Sequence, residues 1–501
     1  ASNVAIGFNA LTVNTSGASN TSVGTLTLDA NTTGGANVAL GYGALTANTT
    51  ASNNTAVGVE ALQANTTANN NTALGHQAGY SNTTGSPNTF VGYQVGFSNS
   101  TGSNLTALGS SALYSNTTGQ LNAATSQNAL YSNTTGGENT ATGVNAMYFN
   151  TTGSSNVGLG KDALKANTTA NNNTAVGYQA GYSNTTGADN TYIGTKVGDA
   201  NTDGIANVAI GGHGTFAALG ADTRGKFTTA VGVGALRAQN FTSTTQSDNV
   251  AVGYFAGGVM TTGTGNTFLG SLAGDDCVDG TKNVAVGAHS LSADAGDYNS
   301  AVGYQALHNT TASSNTAVGY ASAYSNTTGT DNTAMGELAS YSTTTGFRNS
   351  SFGSSALYTN TTGVDNVAIG TNALYANTTA SNNTAVGMNA LTANTTASNN
   401  TAVGYRSALN NTTGDNNTFL GRGAGESNTT GSYNTFVGIS SGETITTGAK
   451  NTILGKYNGN QGGLDIRTSS NNIVLSDGDG NPRVVTDSTG KTRAQSYAET
   501  Y

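Results

Sequence analysis

The chain lacks much of what a globular enzyme uses. Its 501 residues hold no Trp, 2 Pro and 1 Cys, and only 8% of them are charged. A single cysteine, Cys277, excludes an intrachain disulfide and a cysteine zinc cluster. Lys and Arg number 16 against 25 Asp and Glu, a net charge of -9. The dense cationic track that a phosphate backbone requires is missing, so no nucleic-acid partner is expected. No run of 18 apolar residues occurs, so no membrane insertion is expected either. Ala makes up much of the 36% hydrophobic fraction, and large core side chains are scarce. Such a composition borders on disorder, but disorder does not need Val, Ile and Leu at regular intervals, and these are present.

The intervals come from a repeat. Asn54-Thr55-Ala56-Val57-Gly58 returns as Asn71-Thr72-Ala73-Leu74-Gly75, 17 residues on. From Asn3 to Asn472 there are 28 units, most at a step of 17. Longer coils of 21 residues begin at Asn207, Thr228 and Asn451. The first position is Asn in 26 of 28 units, the fourth is large and apolar in 26, and the fifth is Gly in 26. Agreement of that order specifies a backbone conformation. Asn54, Val57 and Gly58, Asn173, Val176 and Gly177, and Asn383, Val386 and Gly387 represent these three structural positions.

Positions 2 and 4, such as Thr174 and Val176, have the strand period and share one face. Position 3 points the other way. A second apolar pair follows at positions 8 and 9 (Ala61-Leu62), and then a turn such as Asn116-Thr117-Thr118-Gly119. Seventeen residues cannot bury a core alone, so coils must stack. The expected fold is all-β: a parallel β-solenoid or β-roll of 28 coils with two short strands each. At about 4.8 Å per coil this makes a rod of roughly 130 Å. Gly at position 5 suits a tight bend with positive φ. Asn at positions 1 and 12 is expected to stack into amide ladders. Position 3 is mostly Ala, with Phe90, Tyr192, Phe268, Phe419, Phe436 and Ile453 as larger exceptions. That Ala row is read as a surface for another layer, which makes the rod a homotrimer. The repeat shaft spans 1–476, with irregular coils at 207–248 and 451–471, and 477–501 form an exit segment.

The motif Asn-Thr-Ala-Val-Gly-Tyr-Gln-Ala with Asn-Thr-Thr-Gly, as in 173–187, resembles the repeat region of bacteriophage tail fibres. It is also similar to the head repeat of trimeric autotransporter adhesins, a left-handed β-roll trimer, although the unit here is longer. The likeness covers residues 3 to 476. The run from Asn472 to Arg483 resembles the exit from the repeat array in phage fibres. The resemblance implies a non-enzymatic fibre shaft in the virion tail, extracellular, with itself and a host cell-surface glycan or protein as partners. A bacterial surface adhesin or self-assembling filament is the alternative, and an ice-binding solenoid a further one. Ice binding would need flat Thr ranks, whereas the repeated Thr at positions 13 and 14 fall in a turn.

No cofactor is implied, and no catalytic set converges: His76, His213, His289 and His308 are scattered, and no nucleophile elbow has a partner. Asp275, Asp276 and Asp279 around Cys277 read as a solvated turn rather than a cation site. Asp477-x-Asp479-x-Asn481 starts like a calcium loop, but Pro482 and Ser488 break the pattern, and a β-hairpin turn is expected. Sequons such as Asn65-Thr66-Thr67 and Asn184-Thr185-Thr186 read as repeat chemistry. Tyr recurs at positions 6 and 10, for packing between chains rather than sugar stacking. The candidate receptor contact is the pair of 21-residue coils, which hold His213, Phe216, Arg224, Lys226, Phe227, Arg237 and Phe241. Extra residues in a solenoid must loop outward, where function concentrates.

Overall fold

Residues 2–212 and 214–494 are described by the computed structural model. The chain divides into two compact units, Ala1–Phe255 and Ala256–Tyr501. Each is a parallel β-solenoid, and together they hold about 28 coils on the 17-residue repeat. In the first unit, Val38–Leu40 pairs in parallel with Thr55–Val57, and Thr55–Val57 with Thr72–Leu74, always one repeat apart. In the second, Val367–Ile369, Thr384–Val386 and Thr401–Val403 do the same.

A regular coil has one strand, at positions 2 to 4, and not the two expected. Positions 7 and 9 have left-handed backbone, with φ of 55° at Glu60 and 47° at Leu62, so this arm cannot be extended. It still bonds from coil to coil. Glu60 N–H donates back to Tyr42 O at 2.8 Å, and Leu62 N–H donates forward to the Ala78 carbonyl at 2.9 Å. Gly58 takes φ 139°, and a Cβ there would run into the carbonyl of Gly75 in the next coil. Position 5 is therefore Gly because both the dihedral and the coil-to-coil approach exclude a side chain.

The two Asn ladders are present. At position 1, Asn54 N–H donates to Asn37 Oδ1 at 3.0 Å, and Asn54 Nδ2 crosses its own coil to the Ala68 carbonyl at 3.0 Å. At position 12, Asn48 Nδ2 donates to Asn31 Oδ1 at 2.8 Å, and Asn65 Nδ2 to Asn48 Oδ1 at 3.1 Å. Beside that ladder, the Thr49 hydroxyl donates to the Thr66 carbonyl at 3.2 Å. The Asn-Thr-Thr-Gly signature is thus a clip between coils, and its Asn is buried, as at Asn48 and Asn65.

The reading of position 3 is corrected. Its Ala row is not a surface for another layer: Ala39, Ala56, Ala73 and Ala107 are fully buried inside their own chain. They face the position-8 and position-9 side chains, such as Ala61 and Leu62, which are also fully buried. A small residue stands at 3 because Leu at 9 fills the interior. Where position 3 is large, position 9 is Gly. A Cβ on Gly274 would come within 2.7 Å of the Phe268 ring, and one on Gly425 within 2.6 Å of Phe419. Gly96 under Phe90 and Gly198 under Tyr192 follow the same rule. A large ring also reaches the coil before it: Gly79 lies against Phe90 and Gly181 against Tyr192, so volume is shared between neighbouring coils.

With position 3 inside, positions 2 and 4 must face out. Strand burial alternates accordingly, exposed-buried-exposed in Val38–Leu40 and Thr72–Leu74.

At the end of the second unit the parallel ladder stops. Ile473–Ser476 pairs in parallel with Thr452–Leu454 on one side and antiparallel with Pro482–Thr486 on the other, which pairs with Thr492–Ala494. The turn at Asp477 is the expected hairpin. Its carboxylate accepts from Asn481 N–H at 2.9 Å and from Arg483 Nε at 2.9 Å. In the coil starting at Asn451, the added residues make a small hairpin of Asn460–Gln461 with Leu464–Asp465.

Candidate functional site

Two surfaces stand apart from the regular stack. The first is the outward face of the strands. Its position-4 rank is apolar and open: Ile6 is 60% exposed, Leu40 46%, Leu74 49% and Leu159 46% in the first unit, and Leu420 is 47% exposed in the second. Position 2 adds a rank of Thr and Val, and position 6 an exposed row that includes Tyr42, Tyr93 and Tyr178. Neither strand rank carries a charge between Val4–Ile6 and Thr191–Ile193. Contiguous apolar surface on this scale marks an interaction face.

The second is the pair of 21-residue coils, and here the structure separates the candidate residues. In a regular coil Ala61 N–H donates to the carbonyl of Gly58; in the first long coil the same bond runs from Ala218 to Gly211. Gly234 N–H donates to Phe216 O, as Glu60 N–H does to Tyr42 O, so Phe216 stands at position 6. The four added residues therefore lie between Gly211 and Phe216. In the second long coil, Thr245–Gln246 pairs with Gly225–Lys226, which places the addition after Gln239, at another corner. Step length reveals that a coil is longer, but not which corner takes the extra residues.

Phe216 and Arg237 meet at the first corner. The Arg237 guanidinium lies 5.6 Å from the Phe216 ring centre and 5.3 Å from that of Phe255. Arg224, Lys226, Phe227 and Phe241 belong to the other corner. Arg224 pairs with Asp203 at 3.6 Å, Phe227 is exposed, and Phe241 is only 5% exposed, which removes it from direct contact. His213 lies outside the described residues. Lys196 and Asp199, from the preceding coil, line the first corner with Arg237; sequence reasoning missed both because their coil has the ordinary length.

No protein-family model matches the chain, and no curated protein is significantly similar to it. Function must therefore be argued from the surfaces themselves.

Position-10 aromatics stack along the coil direction within the chain. Tyr80, Phe97, Tyr114, Tyr131 and Tyr148 are each 4.9 to 5.2 Å from the next, nearly parallel. Tyr324, Tyr341, Tyr358 and Tyr375 repeat this in the second unit at 5.1 to 5.3 Å. Faces that cover one another are not open to a sugar ring, so these rows act in the stack.

Cys277 is buried at the position of the Asn ladder, and burial pushes its thiol up to about 11. Among the described residues no three His, Cys, Asp or Glu side chains gather to hold a metal, and no helix is long and apolar enough to cross a membrane. The sequon residues Asn65 and Asn184 are fully buried. A glycan cannot be attached to them in the folded chain.

Proposed function

We propose that the chain is the repetitive shaft of an extracellular, non-enzymatic fibre of the phage tail-fibre type, assembled as a homotrimer and presenting binding surface to a host cell. One observation carries this reading: the uncharged ranks at positions 2 (mostly Thr and Val) and 4 (mostly Val, Ile and Leu) face outward and stay half-exposed or exposed in their own chain. A copy of the same chain repeats at the same step and so matches the ranks coil for coil, which suits a homo-oligomer. Burying each exposed Leu or Ile there would contribute about 1.5–3 kcal/mol. A bacterial surface adhesin would use the same face in the same way.

The test is adsorption. The purified full chain should bind intact cells of a susceptible bacterium and block attachment of particles that carry it. Failure to bind any cell surface, by a chain that has assembled, contradicts the receptor role.

Ice binding gains one supporting feature: strand Thr such as Thr55, Thr72 and Thr89 do form an outward rank. The adjoining rank of Leu and Ile favours protein contact instead. Absence of ice-recrystallisation inhibition by the chain disposes of that reading.

A further inference from the structure

The first long coil builds a cleft of about 430 Å³ in the first unit. Its walls come from Lys196 and Asp199 of one coil, Gly214 and Thr215 of the addition, Ala217 just after it, and Arg237 of the next coil. Both cations are half-buried, and neither has an ion-pair partner among the described residues. Arg237 is held against two rings that touch each other, Phe216 and Phe255. Those rings position its guanidinium without neutralising it, so its forked donors remain free for an anion. Phe216 is 42% exposed beside it and offers an apolar face. Asp199 sets a carboxylate in the same cleft, and desolvation raises its carboxyl above the ordinary range, opposed by Lys196.

We infer that this cleft binds the carboxylated sugar of an acidic glycan, a hexuronic acid unit. This deepens the proposed function and rests on it. The anion goes to Arg237 and Lys196, the sugar C–H face to Phe216, and a ring hydroxyl donates to Asp199. A ligand must bring a negative charge, hydrogen-bond donors and an apolar face together, which a uronic acid does. An acidic peptide brings the charge but has no ring hydroxyl for Asp199 and no sugar C–H face for Phe216. The placement also has a structural rationale: the addition costs the stack little, since loop closure rises only slowly with length, and it is the addition that closes the cleft over Lys196.

The experiment titrates hexagalacturonate, its neutral methyl ester and a Glu hexapeptide into the full chain by calorimetry. Three variants are compared with the parent: Lys196→Ala/Arg237→Ala, Arg237→Lys and Phe216→Ala. The expected result is binding of hexagalacturonate that weakens with salt, with affinity reduced about tenfold or more in the double variant. Phe216→Ala keeps the charges but loses affinity for the sugar, and the ester and peptide bind weakly. Thermal unfolding of each variant should match the parent, because all three side chains are partly exposed. Absence of hexagalacturonate binding, equal binding by the double variant, or equal binding of the peptide overturns the assignment. Cell adsorption separates the two readings. Adsorption that survives in the double variant sinks the cleft and leaves the fibre role standing, whereas no adsorption by the parent sinks the role itself.

Discussion

At the residue scale the repeat works through exclusion of side chains. Gly58→Ala places a Cβ against the Gly75 carbonyl at φ 139° and should cost about 1–3 kcal/mol. Gly58→Val should cost more, because its branch meets the same carbonyl. Ser126, at the same position, takes φ 112°, so one coil does bend to admit a small side chain. Equal melting temperatures for parent and Val variant would contradict the account. The exchange of volume between positions 3 and 9 gives a second test. Phe90→Ala should cost about 3–5 kcal/mol by opening a cavity. Adding Gly96→Leu should restore part of it, since Gly96 has φ 59° and Leu62 takes φ 47° at the same position in a regular coil. No recovery in the melting temperature of the double variant would show that the two positions do not share one space. The link between an aromatic residue at 3 and Gly at 9 is legible in the sequence: coils starting at Asn88, Asn190 and Asn417 all show it. It identifies position 3 as interior, and reading the Ala row by itself hid it.

The element that binds coil to coil is the ladder of Asn at position 12, and its break is informative. Asp222 follows Asn201 there, and both polar atoms of the buried Asn201 side chain lack a partner. The Asp222 carboxylate accepts from Gly225 N–H and Gln239 Nε2, each at 3.0 Å. Burial nonetheless pushes its carboxyl above the ordinary range, with these hydrogen bonds opposing the shift. A raised acid is one the folded chain prefers protonated, so its contribution is most favourable at low pH and declines as pH rises through about 4 toward the folded value. Asp222→Asn removes that slope and gives Asn201 Oδ1 an amide donor. The variant should melt higher than the parent at pH 7, with the difference shrinking as pH falls from the raised folded value toward about 4 and no longer changing below it. A pH-independent difference would show that the charge is not the cause. The ladders, the Gly bend at position 5 and the 17-residue step were all legible in the sequence because each recurs at the same position in most units. The left-handed backbone at positions 7 and 9 was not, since Leu and Glu give no sign of positive φ. The first cleft was missed in part because Lys196 and Asp199 reach it from a coil of ordinary length.

For the whole molecule, self-association is argued from a different surface than sequence reasoning chose. The Ala row is spent inside the chain. What remains for a partner is the Thr, Val and Leu face, exposed because strand alternation turns it outward once Ala turns inward. A repeat that buries Leu at position 9 but leaves a second rank of Val, Ile and Leu outside at position 4 is a poor design for a lone chain and a workable one for a bundle. The most direct measurement is sedimentation equilibrium of the full chain at micromolar concentration, alongside a Leu40→Lys/Leu74→Lys variant. The account predicts three times the chain mass for the parent, and loss of that mass without loss of β structure in the variant. A folded parent at the mass of one chain, with those ranks left in water, would contradict it.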